Sequence, residues 1–279
     1  MIEVVNLSKA FGSKRVLRNV NLKVESGETM VIIGTSGCGK SVLLKHIMRL
    51  LTPDEGKVLI DGVDIFSIGR QQLNQFRMQI GMLFQNSALF DSLTVRGNVG
   101  FSLNEHYKLP HDEIEKRVRE RLRLVGLSGI EDLMPAELSG GMRKRVGLAR
   151  AICTDPTIVL YDEPTTGLDP IMSDTINELI IRMQKRLGIT SIVVTHDMNS
   201  AYKVGNRIAM LYEGSIVALG TPDEIKRSSD PVVQQFITGS SKGPIATETI
   251  QYLVRNNNDH EYKRHSYLFD LAEIGRAHV

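Results

Sequence analysis

Apolar and polar residues alternate along the start of the chain, at Ile2, Val4 and Leu7 and again at Val16, Leu17, Val20, Leu22 and Val24. The breaks between them fall at Gly12-Ser13 and Ser26-Gly27. This period of two predicts a small antiparallel sheet over residues 1–30. The pattern then tightens to Thr29-Met30-Val31-Ile32-Ile33, a short unbroken apolar run of the kind covered on both faces of a sheet. Helical spacing follows over residues 41–51, and residues 57–65 read as a hairpin turning at Asp61-Gly62. From about 91 to 155 the texture is helical, with a charged amphipathic helix over 112–125 and a second helix over 141–152. Strand-like runs return at 157–161, 191–195, 207–212 and 215–218, alternating with a helix over 171–187. The expected fold class is α/β, with one mainly parallel sheet, an N-terminal antiparallel β subdomain and an inserted α-helical subdomain.

From Gly239 the chain turns polar, through Asn256-Asn257-Asn258-Asp259, and loses periodicity. One short helix is expected over 246–255 and a loosely held tail around it. The last six residues, Ile274-Gly275-Arg276-Ala277-His278-Val279, read like an in-frame translation of a sequencing-library adapter and are expected to be a scar. The expected organisation is a folded module over 1–238 with its helical insertion at about 91–155, an extension over 239–273, and the scar at 274–279.

The buried run at 29–33 leads straight into Gly34-Thr35-Ser36-Gly37-Cys38-Gly39-Lys40-Ser41 and then into a helix. Strand, glycine loop and helix in that order form a cradle for nucleotide phosphates, which makes the core that of a P-loop NTPase. Glycines let the backbone wrap an anion, and the N–H groups of the loop and helix N-terminus face it. Lys40 supplies a mobile charge for the β and γ phosphates, and the Ser41 hydroxyl can ligate Mg²⁺. Cys38 is read as a small residue at a permissive position.

A second apolar run, Ile158-Val159-Leu160-Tyr161, ends in Asp162-Glu163. Ligands of a parallel sheet sit beyond the carboxyl ends of its strands. Were this strand a neighbour of the one carrying the glycine loop, Asp162 would lie near the Mg²⁺ shell and Glu163 could deprotonate or orient the attacking water. Leu138-Ser139-Gly140-Gly141-Met142 opens the helix at 141–152, a second N-terminus suited to an anion. One chain can hardly fold both helix ends onto one triphosphate, whereas a head-to-tail dimer can clamp each ATP between the loop of one copy and the second motif of the other.

Composition narrows the field without deciding it. With 279 residues, 42% hydrophobic and 24% charged, the chain has ample material for a core. A net charge of +2 argues for neither nucleic acid nor an acidic membrane surface. Cys38 and Cys153 form no disulfide framework, so a reduced cytosolic setting is expected. Met1 runs directly into a strand-like pattern with no basic-then-apolar leader, and no apolar run approaches the ~20 residues that span a bilayer. Any membrane-spanning part of the function is expected in another polypeptide.

The order of these motifs resembles that of the nucleotide-binding subunits of ABC transporters, over roughly residues 1–238. The resemblance implies roles for further residues. Phe11, which by pattern alone reads as core, matches the aromatic that stacks on adenine. Gln85 matches the glutamine that senses Mg²⁺ and the γ-phosphate while touching the permease. Asp169 matches the acid of the loop that crosses the dimer interface, and His196 the histidine that contacts the γ-phosphate. The catalytic set it implies is Glu163, His196 and Lys40. The nucleotide set adds Phe11, residues 34–41, Gln85, Ser139, Gly140, Gly141, Met142, Asp162 and Asp169, with Ser41, Gln85 and Asp162 toward Mg²⁺.

Met142 departs from the glutamine common in that family, and the following Arg143-Lys144-Arg145 is read as a solvated helix face. Met142 with its basic trio, residues 86–95, Asn104-Glu105-His106 and residues 230–236 resemble the ATPases of Mla/Mce-type lipid transporters. That implies a homodimer on the cytoplasmic face of the inner membrane with permease subunits, an Mce-type lipid-binding protein and a small accessory subunit as candidate partners, and no nucleic acid. Import of a small polar solute and a non-transport role in cell division stay open as alternatives.

Overall fold

The computed structural model describes residues 1–107 and 109–245. The chain divides into two compact units, Met1–Ser228 and a second beginning at Ser229. The helix expected over 246–255 and the scar at 274–279 lie outside the described residues.

In the first unit, β1 (Ile2–Phe11), β2 (Lys14–Val24), β4 (Glu55–Ile60) and β5 (Val63–Asp64) form a four-stranded antiparallel sheet in the order β2-β1-β4-β5. Asp61 (φ 48°) and Gly62 (φ 81°) turn the hairpin between β4 and β5, both in the left-handed region that a two-residue hairpin loop needs. The second sheet holds β3 (Thr29–Ile33), β6 (Ile80–Leu83), β7 (Ile158–Asp162), β8 (Thr190–Val194), β9 (Arg207–Tyr212) and β10 (Ser215–Gly220). Its order is β10-β9-β3-β8-β7-β6; β9 and β10 are antiparallel and every other pairing is parallel. All five residues of β3 are buried, as the unbroken apolar run predicts.

β3 and β7 are not neighbours: β8 lies between them. The expectation that adjacent strands carry the glycine loop and the acid pair is therefore corrected. The two strand ends still converge, because β3, β8 and β7 run parallel and release their chains at the same edge.

Helices α1 (Lys40–Ile47), α2 (Arg70–Met78), α6 (Pro170–Leu187), α7 (Met198–Val204) and α8 (Pro222–Lys226) accompany the sheets. α1 is shorter than the spacing predicts, since Arg49 takes φ 50° and ends the helical run. The helical insertion consists of α3 (Val95–His106), α4 (His111–Leu124) and α5 (Gly140–Ala151), with α3 packed on both α4 and α5. α4 buries Ile114, Val118 and Leu122, residues one helical turn apart, and leaves Arg119 and Arg123 exposed. Among the described residues no helix is long and apolar enough to cross a membrane.

In the second unit, Asp230 caps α9 (Pro231–Thr238) by accepting from the N–H groups of Val232 at 2.7 Å and Val233 at 3.3 Å. Gly239 (φ 67°) ends it. The Gln235 amide then anchors the following turn, donating to Ile245 O and accepting from Ile245 N.

Candidate functional site

The loop between β3 and α1 is shaped by steric exclusion. A Cβ on Gly34 would lie 2.2 Å from Leu211 O, and one on Gly39 would lie 2.8 Å from Leu17 Cδ2. Their φ angles of 153° and 112° add a second reason for glycine. Lys40 is buried and folds back over the loop, its ammonium donating to Gly34 O at 2.8 Å and Thr35 O at 3.0 Å. No side chain caps α1, so its first N–H groups face the loop. Thr35, Ser36 and Gly37 line the rim, and Ser36 and Gly37 are exposed. Burial pushes the Cys38 thiol up, which fits a small packed residue and not a nucleophile.

Ser41, on the first turn of α1, donates to Asp162 Oδ1 at 3.1 Å. Burial raises the Asp162 carboxyl above its usual range, and the Ser41 hydroxyl opposes that. Mg²⁺ on a nucleotide keeps several waters and takes only one or two protein oxygens besides the phosphates. A hydroxyl and a carboxylate held side by side fit that need. The described residues hold no group of three acids, histidines or cysteines that would suit a more fully protein-ligated ion.

Glu163 is the most constrained residue of the site. It is 8% exposed and has φ 50° without being glycine. A side chain held in the left-handed region costs about 1–3 kcal/mol and persists where its surroundings over-determine it. Here its N–H donates to Val194 O at 2.9 Å. Its carboxylate accepts from Thr166 Oγ1 at 3.1 Å and Thr195 Oγ1 at 3.4 Å. His196 Nδ1 lies 3.0 Å from Oε1 and 2.9 Å from Oε2, so with the carboxylate ionised Nδ1 carries the hydrogen. The His196 side chain is 58% exposed. A carboxylate clamped by three donors beside a strand end can accept a proton from a water at one defined place.

The remaining sequence-predicted residues divide. Phe11 is 47% exposed at the end of β1, with Lys9 Nζ over its ring 5.6 Å from the centre, so the reading as core fails and the ring is partly open to solvent. Gln85 is exposed, two residues past the end of β6. Ser139 caps α5, accepting from Met142 N at 3.2 Å, which leaves its hydroxyl hydrogen free to donate. Ser139 and Gly140 are exposed and Met142 is half-buried. Asp169 caps α6, accepting from Ile171 N and Met172 N, each at 3.0 Å. Asp169→Ala is expected to cost about 1 kcal/mol of stability, and Asp169→Asn, an equally good cap, close to nothing. Equal losses for both in denaturant unfolding would show that the cap is not what Asp169 contributes to the fold.

Three contributors escaped the sequence reading. Thr166 and Thr195 hold Glu163; Thr195 directly precedes His196, yet nothing in the sequence assigns either threonine to the carboxylate. Lys144 is the third, and it corrects the expectation of a solvated basic face. It is 5% exposed, and its ammonium donates to Gln85 O and, at 3.1 Å, to Glu163 O. Burial pulls it below the usual lysine range, opposed by the Glu163 and Asp162 carboxylates. Arg143 donates to Leu138 O at 2.6 Å and Arg145 to Gly126 O at 3.2 Å, so these too are engaged.

Beside Gln85 lies a groove of about 630 Å³, lined by Arg77, Met82, Phe84, Phe90, Phe101 and Arg150 among others. Phe90 and Phe101 pack with ring centres 4.6 Å apart and planes tilted by 39°, and Phe84 and Phe90 are exposed.

Comparison with known proteins extends the picture. The family model described as ABC transporter matches residues 17–166. The chain is 44% identical over 244 residues to the probable ribonucleotide transport ATP-binding protein mkl of Mycobacterium leprae, covering 88% of this chain and 70% of that protein. It is 42% identical over 245 residues to the intermembrane phospholipid transport system ATP-binding protein MlaF of Haemophilus influenzae, covering 88% of this chain and 93% of the relative. Among solved structures, the ATP-binding cassette MJ0796, a dimer in a post-hydrolysis state bound to ADP and Pi, superposes with a TM-score of 0.74. It is 35% identical, over 80% of this chain and 99% of that one.

Proposed function

The chain belongs to the ABC transporter family as an ATP-binding, ATP-hydrolysing cassette, and we propose that it drives a separate membrane permease moving phospholipid. The observation that carries the cargo is the match to a phospholipid-transport ATPase over 93% of that relative's length. The groove beside Gln85, with its exposed Phe84 and Phe90, supplies an apolar seat for a permease segment next to the nucleotide. The ATPase module is assigned to residues 1–238, with its helical subdomain at about 91–155.

Within the cycle, Phe11 stacks on adenine, while Lys40 and the N–H groups of residues 34–41 hold the phosphates. Ser41 and Asp162, with Gln85, would hold Mg²⁺, which would supply positive charge at the phosphates. Glu163 takes the proton from the attacking water; Thr166, Thr195 and His196 keep its carboxylate aimed. Ser139, Gly140, Gly141 and Met142 of one protomer close on the nucleotide held by the other, with Asp169 at the crossing. Closure with ATP and opening after hydrolysis give two states that a permease can read. The homodimer works on the cytoplasmic face of the inner membrane, with an Mce-type lipid-binding protein and a small accessory subunit completing the assembly.

The test is reconstitution with the permease in liposomes carrying fluorescent phospholipid. ATP-dependent phospholipid movement is expected, with no stimulation of ATPase activity by added ribonucleotides other than ATP. Stimulation by ribonucleotides, with static lipid, would assign the cargo named for the mycobacterial relative instead.

A further inference from the structure

Helix α5 touches both halves of the chemistry. Its N-terminus, capped by Ser139, is exposed. Further along, its inner face lies against the segment that carries Gln85. Gly147 makes that approach possible: a Cβ there would sit 2.9 Å from Leu83 Cδ1 and 3.2 Å from Ser87 Cβ. Arg150 donates to Ser87 O at 2.6 Å and Ala88 O at 2.7 Å, so the turn after Gln85 is gripped at its far end. Lys144 grips the near end through Gln85 O, and spends a second N–H on Glu163 O.

Packing alone does not call for an ammonium at this place. Taking a cation out of water is costly unless well-placed partners solvate it, and an apolar side chain of similar length would fill the space without that cost. What only the ammonium provides is simultaneous attachment to two main-chain segments, one after β6 and one after β7. Those segments carry Gln85 and Glu163. The helix making the attachment has Ser139 as its N-cap, only five residues before Lys144, and the hydrogen-bonded turns between them move as one piece.

We propose that Lys144 is a positioning residue that joins the two ATP sites in which one protomer takes part. It locks the Gln85 and Glu163 segments of the protomer's own site to the helix whose Ser139 end serves the partner's nucleotide. A shift of Gln85 or Glu163 at one nucleotide then moves the second glycine motif at the other, so the sites change state together. This inference rests on the two-protomer reading given above.

Dimers of defined composition test it. One protomer carries Glu163→Gln, so its own site is dead and turnover reports only the site whose glycine loop belongs to the wild-type protomer. Adding Lys144→Met to the Glu163→Gln protomer is expected to lower the remaining turnover by about tenfold or more, with KM for ATP within about twofold. Lys144→Arg, which keeps a multiple donor, is expected to restore most of that loss. Lys144→Gln, able to reach only one carbonyl well, is expected to fall between, and it serves should the Met form not fold. Remaining turnover insensitive to all three replacements, in protomers that still bind fluorescent ATP, would confine Lys144 to its own site and overturn the coupling. So would a loss that Arg does not relieve, since that marks packing. Full turnover by the homodimer of Glu163→Gln is a separate result, which removes the underlying assignment of the base and the coupling with it.

Discussion

Glu163→Gln lowers ATP turnover by about 10²–10⁴-fold and leaves ATP affinity nearly unchanged, the range expected for loss of a general base. Glutamine fits the same space, and its amide oxygen can still accept from Thr166 Oγ1 or Thr195 Oγ1. The main-chain bond to Val194 O is untouched, and so is the positive φ it helps to hold. What disappears is the capacity to take a proton. ATP-loaded dimers should therefore accumulate, visible as a shift in size by light scattering with Mg²⁺-ATP that reverses only slowly. Wild-type turnover in this variant would take Glu163 out of the chemistry and leave its backbone strain without a purpose. Loss of ATP binding together with turnover would point instead to a structural role for the buried carboxylate.

Local periodicity reveals elements well where burial is lopsided or complete. The five buried residues of β3 and the Ile114, Val118 and Leu122 stripe of α4 announce themselves because each pattern has one structural solution. Strand order is a different kind of information. Nothing within Thr190–Val194 says that β8 inserts between β3 and β7, since lateral pairing is decided by crossover connections and not by either strand's own residues. β6 is only four residues long, too short for a period to show, and α2 buries none of its residues fully, with Leu73 and Phe76 half-buried on one side.

At the site, motif order located Lys40, Ser41, Asp162 and Glu163, and the structure brings all four to one sheet edge. Lys144 shows that charge alone is a poor sign of exposure, since it is 5% exposed. Its place on α5, between the buried Gly141 and Leu148 at helical spacing, puts it on the inner face, and that was readable. The two threonines on Glu163 were not, because Thr166 and Thr195 meet it only through the fold.

Two inactive variants are expected to restore activity to each other when mixed. Lys40→Ala removes the ammonium that bridges Gly34 O and Thr35 O and would meet the phosphates. Ser139→Asp keeps the cap on α5, because aspartate accepts from Met142 N as serine does, yet it sets a negative charge where a triphosphate must approach. Each homodimer should fall about 10²–10³-fold, as on removing a preorganised donor from a charged transition state. A mixed dimer differs from both. It pairs Lys40→Ala with Ser139→Asp at one nucleotide, while the other lies between a wild-type loop and a wild-type second motif. With random exchange about half the dimers are mixed, each with one of its two sites whole, so recovery should approach about a quarter of the wild-type rate. Tighter coupling through Lys144 lowers that ceiling without removing the recovery. Activity of the mixture equal to the average of its two parents would show that each chain completes its own site, and the exposed N-terminus of α5 would then have no nucleotide to serve.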